Sequence, residues 1–373
     1  MLNIGIISTF PPTQCGIATY ATDIIDAIES VSTQLRYTKI ELIPQGDDPR
    51  NKNYTIQSNC PDQYLKAAEF INKSNIDVVD LQHEFKIYGA PNGENVTAFI
   101  EHIKKPIVAT LHTVSSNLNE EREKVFRNIV TRCNLLYVFS REAKEYLVEK
   151  YQKSGLAIKI IPHGVPAIQF KKTLEIADRK IIPESIIFLS AGHMRDVKGY
   201  DVALQALGVI KNEIPSFKYF ILGSNHPQNE TAESYRKMLI ELSNKLNLPD
   251  NVIFINDYLK LEDFIKYIQL ADICLLPYTR SEQSSSGVLA LMIASGRPVV
   301  STPFQFAKSC IDELSGVISE SFNFSDFATA IKVVINKRSH WDKISRHNHD
   351  TGQSWNWGNV ANQYINGYKN VKG

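Results

Sequence analysis

Short apolar runs rich in β-branched residues alternate along this chain with longer segments whose apolar positions recur every three or four residues. Runs at 2–8, 39–43, 77–82, 107–111, 135–139 and 158–161 predict strands. After the first of them, Tyr20, Ile24, Ile28 and Val31 repeat at helical spacing within 17–31, with Asp23, Asp26 and Glu29 on the other faces. The strand runs are apolar throughout rather than alternating, which is the pattern of parallel strands covered on both sides. Strand–helix–strand repetition then predicts right-handed crossovers and a doubly wound sheet.

The pattern restarts after residue 166. Residues 166–183 are less regular and predict a connection. Strands follow at 185–191, 217–223, 252–257, 273–278 and 298–301, with helices at 201–211, 230–246, 261–270 and 285–294 between them. A last helical pattern covers 355–371. The predicted fold class is therefore α/β, with two tandem Rossmann-like doubly wound domains facing a cleft. Residues 1–166 form the first domain, 167–350 the second and 351–373 a C-terminal helix.

Composition narrows the partners. The chain has 373 residues, enough for two cores. Its 41 Lys and Arg against 40 Asp and Glu leave a net charge of +1, and neither half is strongly charged. Nucleic acid is not an expected partner, because a phosphate-binding surface of that size pushes the balance basic. No stretch reaches the ~18 apolar residues of a spanning helix, and the N-terminus lacks the pattern of a secretory signal. The five scattered cysteines, with no C-x-x-C pair, fit reduced thiols. The expected location is cytoplasmic. Helix 141–153 carries Arg141, Lys144, Lys150 and Lys153, which leaves open a peripheral contact at the inner membrane face; Glu142, Glu145 and Glu149 favour a solvated mixed-charge face instead.

In open parallel sheets, ligands sit beyond the C-terminal ends of strands, so the following loops are the places to look for chemistry. The first strand runs into PPTQCG and a helix. Gly16 at that helix N-terminus lets backbone amides approach an anion, and a plain strand–helix turn is the other reading. Leu81-Gln82-His83-Glu84-Phe85 and Ala109-Thr110-Leu111-His112-Thr113 end two further strands, which brings Glu84 and His112 toward one edge if those strands are neighbours. The loop from Gly192 to Gly199 holds His193, Arg195 and Lys198, two of them permanent cations, and reads either as a phosphate clamp or as a solvated basic turn. Ser284, Ser285, Ser286 and Gly287 open an apolar helix; one serine suffices as an N-cap, and the rest exceed that need.

Taken in order, PPTQCGIATY, LQHEF, ATLHT, IPHGV, Gly192 to Lys198-Gly199, and ADICLLPY followed by SSSGVLALMIASGRPVVST resemble the retaining glycosyltransferases of family four, which have the GT-B fold. The resemblance runs from residue 1 past residue 300, and Ser354-Trp355-Asn356-Trp357 resembles the family's last helix, which crosses back to the N-terminal domain. It implies an acceptor-binding first domain and a donor-binding second one. With the strand-end and loop readings, it gives a candidate catalytic set of His112, Lys198, Arg195 and Glu84. Gly16 would approach the donor diphosphate, and His112 would hydrogen-bond a sugar hydroxyl. Lys198 would neutralise the diphosphate. Ser285, Ser286 and Gly287 would bind phosphate, and Tyr258 and Leu259 would flank the base.

Three departures stand out. Gln283 and Leu291 occupy the family's Glu-x7-Glu positions, with Glu282 one residue away as a substitute. His193 replaces an arginine, a charge that Arg195 can supply. His163 replaces the asparagine of I-P-N-G. The Q-H-E and S-S-G patterns resemble a subgroup associated with mannosyl transfer. The implied reaction is transfer of a hexosyl group from GDP-mannose or a UDP-hexose to a saccharide or lipid-linked acceptor, with retention by front-face attack. No cofactor is implied, and the absence of a D-x-D loop implies no metal. The alternatives are a nucleotide-sugar epimerase or a phosphorylase of the same fold, or a catalytically silent nucleotide-sugar-binding protein. Neither half carries the G-x-G-x-x-G of a dinucleotide-dependent dehydrogenase.

Overall fold

The computed structural model describes residues 1–13, 15–44, 54–89, 91–152, 157–171, 185–224 and 231–373. Gln14, Lys153, Glu230 and residues 172–183 of the expected connection lie outside the described residues. The chain divides into two compact units: Met1–Gly164 with Trp357–Gly373, and Val165–Asn356.

In chain order the first unit contains β1 (Leu2–Ser8), α1 (Gly16–Val31), β2 (Leu35–Ile43), β3 (Tyr54–Gln57), α2 (Pro61–Lys73), β4 (Val78–His83), α3 (Asn95–His102), β5 (Ile107–Leu111), α4 (Glu120–Arg132), β6 (Leu135–Val138), α5 (Arg141–Tyr151) and β7 (Ala157–Ile160). The second contains β8 (Ile186–His193), α6 (Tyr200–Ile210), β9 (Phe217–Ser224), α7 (Ala232–Lys245), β10 (Val252–Ile255), α8 (Leu261–Leu270), β11 (Ile273–Leu276), α9 (Gly287–Ala294), β12 (Val299–Ser301), α10 (Gln305–Cys310), β13 (Gly316–Ile318), α11 (Phe324–Asn336) and α12 (Trp341–Ser354). The chain then returns to the first unit with α13 (Trp357–Lys372).

Among the described residues the first sheet has the order β3-β2-β1-β4-β5-β6-β7 and the second β10-β9-β8-β11-β12-β13. Every strand pair is parallel. Each unit is thus a doubly wound α/β sheet whose strand order reverses beside its first strand, between β1 and β4 and between β8 and β11. The parallel strands explain the continuous apolar runs: β4, β5 and β6 are buried at every position, as are β11 and β12.

Side-chain parity sorts the first unit into layers. Val79 and Leu81 of β4, with Ala109 and Leu111 of β5, face a core shared with α2, α3 and α4. The even-numbered positions of the same strands face the opposite layer, where Tyr364 and Tyr368 of α13 reach β5 and β4. Local signals place the helix ends. Asn119 caps α4 by accepting from the Arg122 N–H at 2.8 Å, and Glu120, Glu121 and Glu123 fill the first turn, where the helix dipole favours negative charge.

Two short strands, β3 and β13, escaped the periodicity reading. Each is an edge strand of three or four residues, too short to show a period. The helical pattern over 355–371 resolves into α13, and a separate α12 ends at Ser354. Cys133 and Cys274 are buried, and all five cysteines are free thiols.

Candidate active site

The strand order directs attention to the loops after β1, β4 and β5 in the first unit and those after β8 and β11 in the second, because each set flanks a reversal of the sheet.

In the first unit β1 leads to Thr9 and then to Cys15, whose thiol caps α1 by accepting from the Ala18 N–H at 3.4 Å and lies 3.2 Å from Thr9 Oγ1. Gly16, the first residue of α1, is exposed, and a side chain added there would meet nothing within 4 Å. β4 ends on Gln82 and His83, followed by Glu84. β5 leads directly to His112, which is 4% exposed. The pairing of β4 with β5 places His83 beside Leu111.

These neighbours form one hydrogen-bonded chain. Tyr368 donates to Asp80 Oδ2, and the Gln82 amide donates to Asp80 Oδ1 at 2.8 Å. That orientation turns the Gln82 carbonyl oxygen toward His112 Nε2, 2.9 Å away, so Nε2 carries the proton and donates it. Burial lowers the His112 pKa to about 3, with His163 and His83 adding to the shift, so the ring is neutral near pH 7. Tyr20 of α1 packs edge-on against it at 4.9 Å. Asp80 is raised to about 6 by burial, against the two donors that lower it. Glu84 accepts from Thr113 Oγ1 at 2.5 Å, and so joins the loop after β4 to the loop after β5.

His83 lies on the other face. Its ring packs among Phe85, Tyr88 and Phe126, both ring nitrogens are buried without a hydrogen-bond partner, and burial holds its pKa near 3. Of the polar trio at the end of this strand, Gln82 and Glu84 serve the loop edge, and His83 is a core aromatic. His163 is half-buried against Tyr20 and Phe139, with its pKa lowered to about 4 by burial.

In the second unit β8 ends on Gly192 and His193, and the loop tightens into a 3₁₀ turn over Asp196–Lys198. Gly192 has φ 140°, and a Cβ there would come within 3.2 Å of Lys198 Cε. Gly199 has φ 66°, and a Cβ there would stand 1.9 Å from the Pro277 carbonyl oxygen. Both positions require glycine. Together they let the loop after β8 lie against the loop after β11, where the Thr279 N–H donates to the Val197 carbonyl at 3.2 Å.

Lys198 and Ser286 are brought together through a residue that the motifs did not single out. The Lys198 ammonium sits 3.8 Å from the centroid of the Tyr278 ring. The Tyr278 hydroxyl lies 3.3 Å from Ser286 Oγ. Ser286 caps α9, accepting from the Leu289 N–H at 3.2 Å, so the helix begins at Gly287 and not at 285. Ser285 is half-buried, and its carbonyl accepts from the Gln283 amide at 2.7 Å. Glu282 accepts from Ser281 Oγ at 3.2 Å. Arg195 and His193 flank the same turn and are half-buried. Tyr258, 66% exposed, and Leu259 lie in the loop after β10, two strands from β8; no hydrogen bond, ion pair or ring contact joins them to Lys198 among the described residues.

Sequence reasoning passed over Asp80, Tyr20 and Tyr278. Asp80 was findable as a lone acid in the middle of an apolar strand. Tyr278 follows the end of β11 by two residues, the position at which a loop side chain first leaves the sheet. On α5, Lys150 is already held by Glu123 at 2.6 Å and by Tyr146 at 2.7 Å. Among the described residues no helix is long and apolar enough to cross a membrane.

Residues 171–350 match the family Glycosyl transferases group 1. That span contains the loop from Gly192 to Gly199, Tyr278 and the α9 N-terminus. The chain is 24% identical over 253 residues to the D-inositol 3-phosphate glycosyltransferase of Geodermatophilus obscurus, covering 62% of this chain and 55% of that one. It spans about half the length of the first curated relatives it matches. Sucrose-phosphate synthase from Thermosynechococcus elongatus superposes with a TM-score of 0.79 at 16% identity, covering 100% and 99% of the two chains. HepE of Anabaena, solved in complex with UDP-glucose, superposes with a TM-score of 0.76 at 14% identity, covering 99% and 100%. The fold is that of the GT-B glycosyltransferases, and these similarities support a glycosyltransferase.

Proposed function

We propose that this chain is a retaining glycosyltransferase. It moves a hexosyl group from a nucleoside-diphosphate sugar to a saccharide or lipid-linked acceptor. Mannose from GDP-mannose is the first candidate, and a UDP-hexose is the second. The observation that carries the reading is the cluster of Lys198, Tyr278 and Ser286 at the strand reversal of the second sheet, inside the span that matches a glycosyltransferase family. The likeness to HepE, a protein solved with UDP-glucose, supports a nucleotide-sugar donor.

In this reaction the bond from the anomeric carbon to the diphosphate oxygen breaks, and a bond to the acceptor oxygen forms on the same face. The acceptor proton passes to the departing diphosphate. Negative charge grows on that diphosphate. Lys198, Arg195 and the N–H groups at the start of α9 supply preorganised positive potential for it, so no metal is required. His112, neutral and fixed in orientation, is suited to hydrogen-bond a sugar hydroxyl rather than to act as an acid. The engagement of Gln283 with the Ser285 carbonyl, at a position where relatives of the resembled family carry a carboxylate, favours one second reading: a nucleotide-sugar-binding protein without transferase activity.

Lys198→Ala is expected to lower kcat/KM for sugar transfer by about 10²-fold or more while leaving the melting temperature intact. A thermal-shift screen with GDP-mannose, UDP-glucose, GDP and UDP identifies the donor, since ligand at 100 times its Kd adds about 2.7 kcal/mol. Transfer at unchanged rate in EDTA checks metal independence. A wild-type rate in the Lys198→Ala variant removes Lys198 from the mechanism. Tight donor binding without transfer or slow hydrolysis supports the second reading.

A further inference from the structure

Lys198 is a cation held by an aromatic ring. Among the described residues no carboxylate pairs with it. It is held instead by an aromatic face, with its ammonium 3.8 Å from the Tyr278 ring centroid. A lysine has four rotatable bonds and hydrates strongly, so an unpaired one ordinarily samples many positions.

The Tyr278 ring is held on several sides. It stacks on Phe304 at 4.8 Å with 22° between the planes. Its hydroxyl reaches Ser286 Oγ at 3.3 Å. Its carbonyl accepts from Thr302 Oγ1 at 2.6 Å. The residue is 3% exposed. On the lysine side, Gly192 provides the passage for the methylene chain, since a Cβ would come within 3.2 Å of Cε.

We propose that Tyr278 is a positioning residue for the diphosphate: its ring face holds the Lys198 ammonium in place beside the α9 N-terminus without neutralising it. A carboxylate in this role would also hold the lysine, but it would cancel the charge that the diphosphate must meet. A π face attracts the cation through its quadrupole and leaves the net positive charge intact. The hydroxyl of the same residue ties the arrangement to Ser286, the cap of α9, so that the ammonium and the helix N-terminus keep a constant separation. This inference rests on the reading of Lys198 as the diphosphate ligand, and the test separates the two.

The test is a double-mutant cycle read as the Kd for UDP and for GDP by calorimetry, with the full chain. Lys198→Ala is expected to weaken the better-bound nucleotide at least tenfold, and Tyr278→Leu about tenfold. Tyr278→Phe, which keeps the ring, is expected to stay within about threefold. In the Lys198→Ala background, Tyr278→Leu should change nothing, because its effect runs through the missing ammonium. Equal weakening by Tyr278→Leu in both backgrounds overturns the proposal and leaves the reading of Lys198 standing. Unchanged nucleotide binding in Lys198→Ala overturns that reading, and the proposal with it.

If Tyr278→Leu does not fold, ring electronics provide the same test. A trifluorinated phenylalanine at 278 nearly keeps the shape but depletes the π face. Binding about threefold or more weaker than with phenylalanine, and only when Lys198 is present, supports the proposal. Equal affinities overturn it.

Discussion

Two glycines of the candidate site are there for opposite reasons. Gly199 holds a positive φ against a neighbouring carbonyl, so its requirement is structural. Gly16 has open space around it and an exposed backbone at the start of α1. Nothing in the fold needs glycine at position 16, and alanine is the better helix former by about 1 kcal/mol. Gly16→Ala is therefore expected to leave the melting temperature unchanged or slightly higher. If bare backbone is there so that a phosphate can approach, the same variant weakens the Kd for the nucleotide sugar severalfold. Unchanged affinity leaves the glycine as a plain turn residue. The residue scale also marks the boundary of what a motif can tell. Gln82 and His83 are adjacent in LQHEF and chemically alike as hydrogen-bonding groups, yet the pleat sends one to His112 and the other into the core between Phe85 and Phe126.

At the scale of elements, α13 is attached to the first sheet through its tyrosines. Tyr364 lies 2.5 Å from Thr110 Oγ1 on β5 and 3.2 Å from the Tyr20 hydroxyl on α1, and Tyr368 donates to Asp80 on β4. The far C-terminus of the chain thereby supports the strand that carries Gln82. Tyr368→Phe removes a donor from a buried carboxyl group and is expected to cost about 1–3 kcal/mol in urea unfolding, with the m-value unchanged. Because that donor lowers the Asp80 pKa, its loss pushes the carboxyl further toward the protonated form. Asp80→Asn in the same background should recover part of the loss. Equal losses in the single and double variants mean that the carboxyl is not the group left wanting. Most elements were legible because apolar period and length agree, as in α1 and in the fully buried β4 to β6. The edge strands β3 and β13 were not legible, since three or four residues covered on one side carry no period.

At the scale of the molecule, acid acts on three histidines of the first unit. Among the described residues, His83, His112 and His163 of this unit have pKa values lowered by burial. Below pH 6.5 the unfolded chain takes up protons at these positions that the folded unit refuses until about pH 3–4. Stability there falls as pH falls through that window. Asp23 and Asp80, both raised to about 6, act in the opposite sense and lose stability as pH rises from about 4 to 6. Each of the three histidines therefore contributes a decline in stability from pH 7 toward pH 5. His83→Phe deletes one of the three from an aromatic niche. It should shrink the drop in melting temperature between pH 7 and pH 5 while keeping or raising stability at pH 7. An identical drop in the variant means that His83 does not carry this acid sensitivity.

The alternation of apolar runs and amphipathic segments is local information. It was enough to determine two doubly wound α/β domains and to single out the loops after their strands as candidate sites. The order of motifs along the chain pointed to the same class of enzyme that the span 171–350 supports. Which side chains meet is not local. Asp80 and Tyr368 are 288 positions apart, and Lys198 and Tyr278 are 80 apart, with several elements between. Their meeting depends on strand order and pleat parity. A strand reads the same wherever it lies in a sheet, and only the folded sheet decides which strand is its neighbour and which face each residue shows.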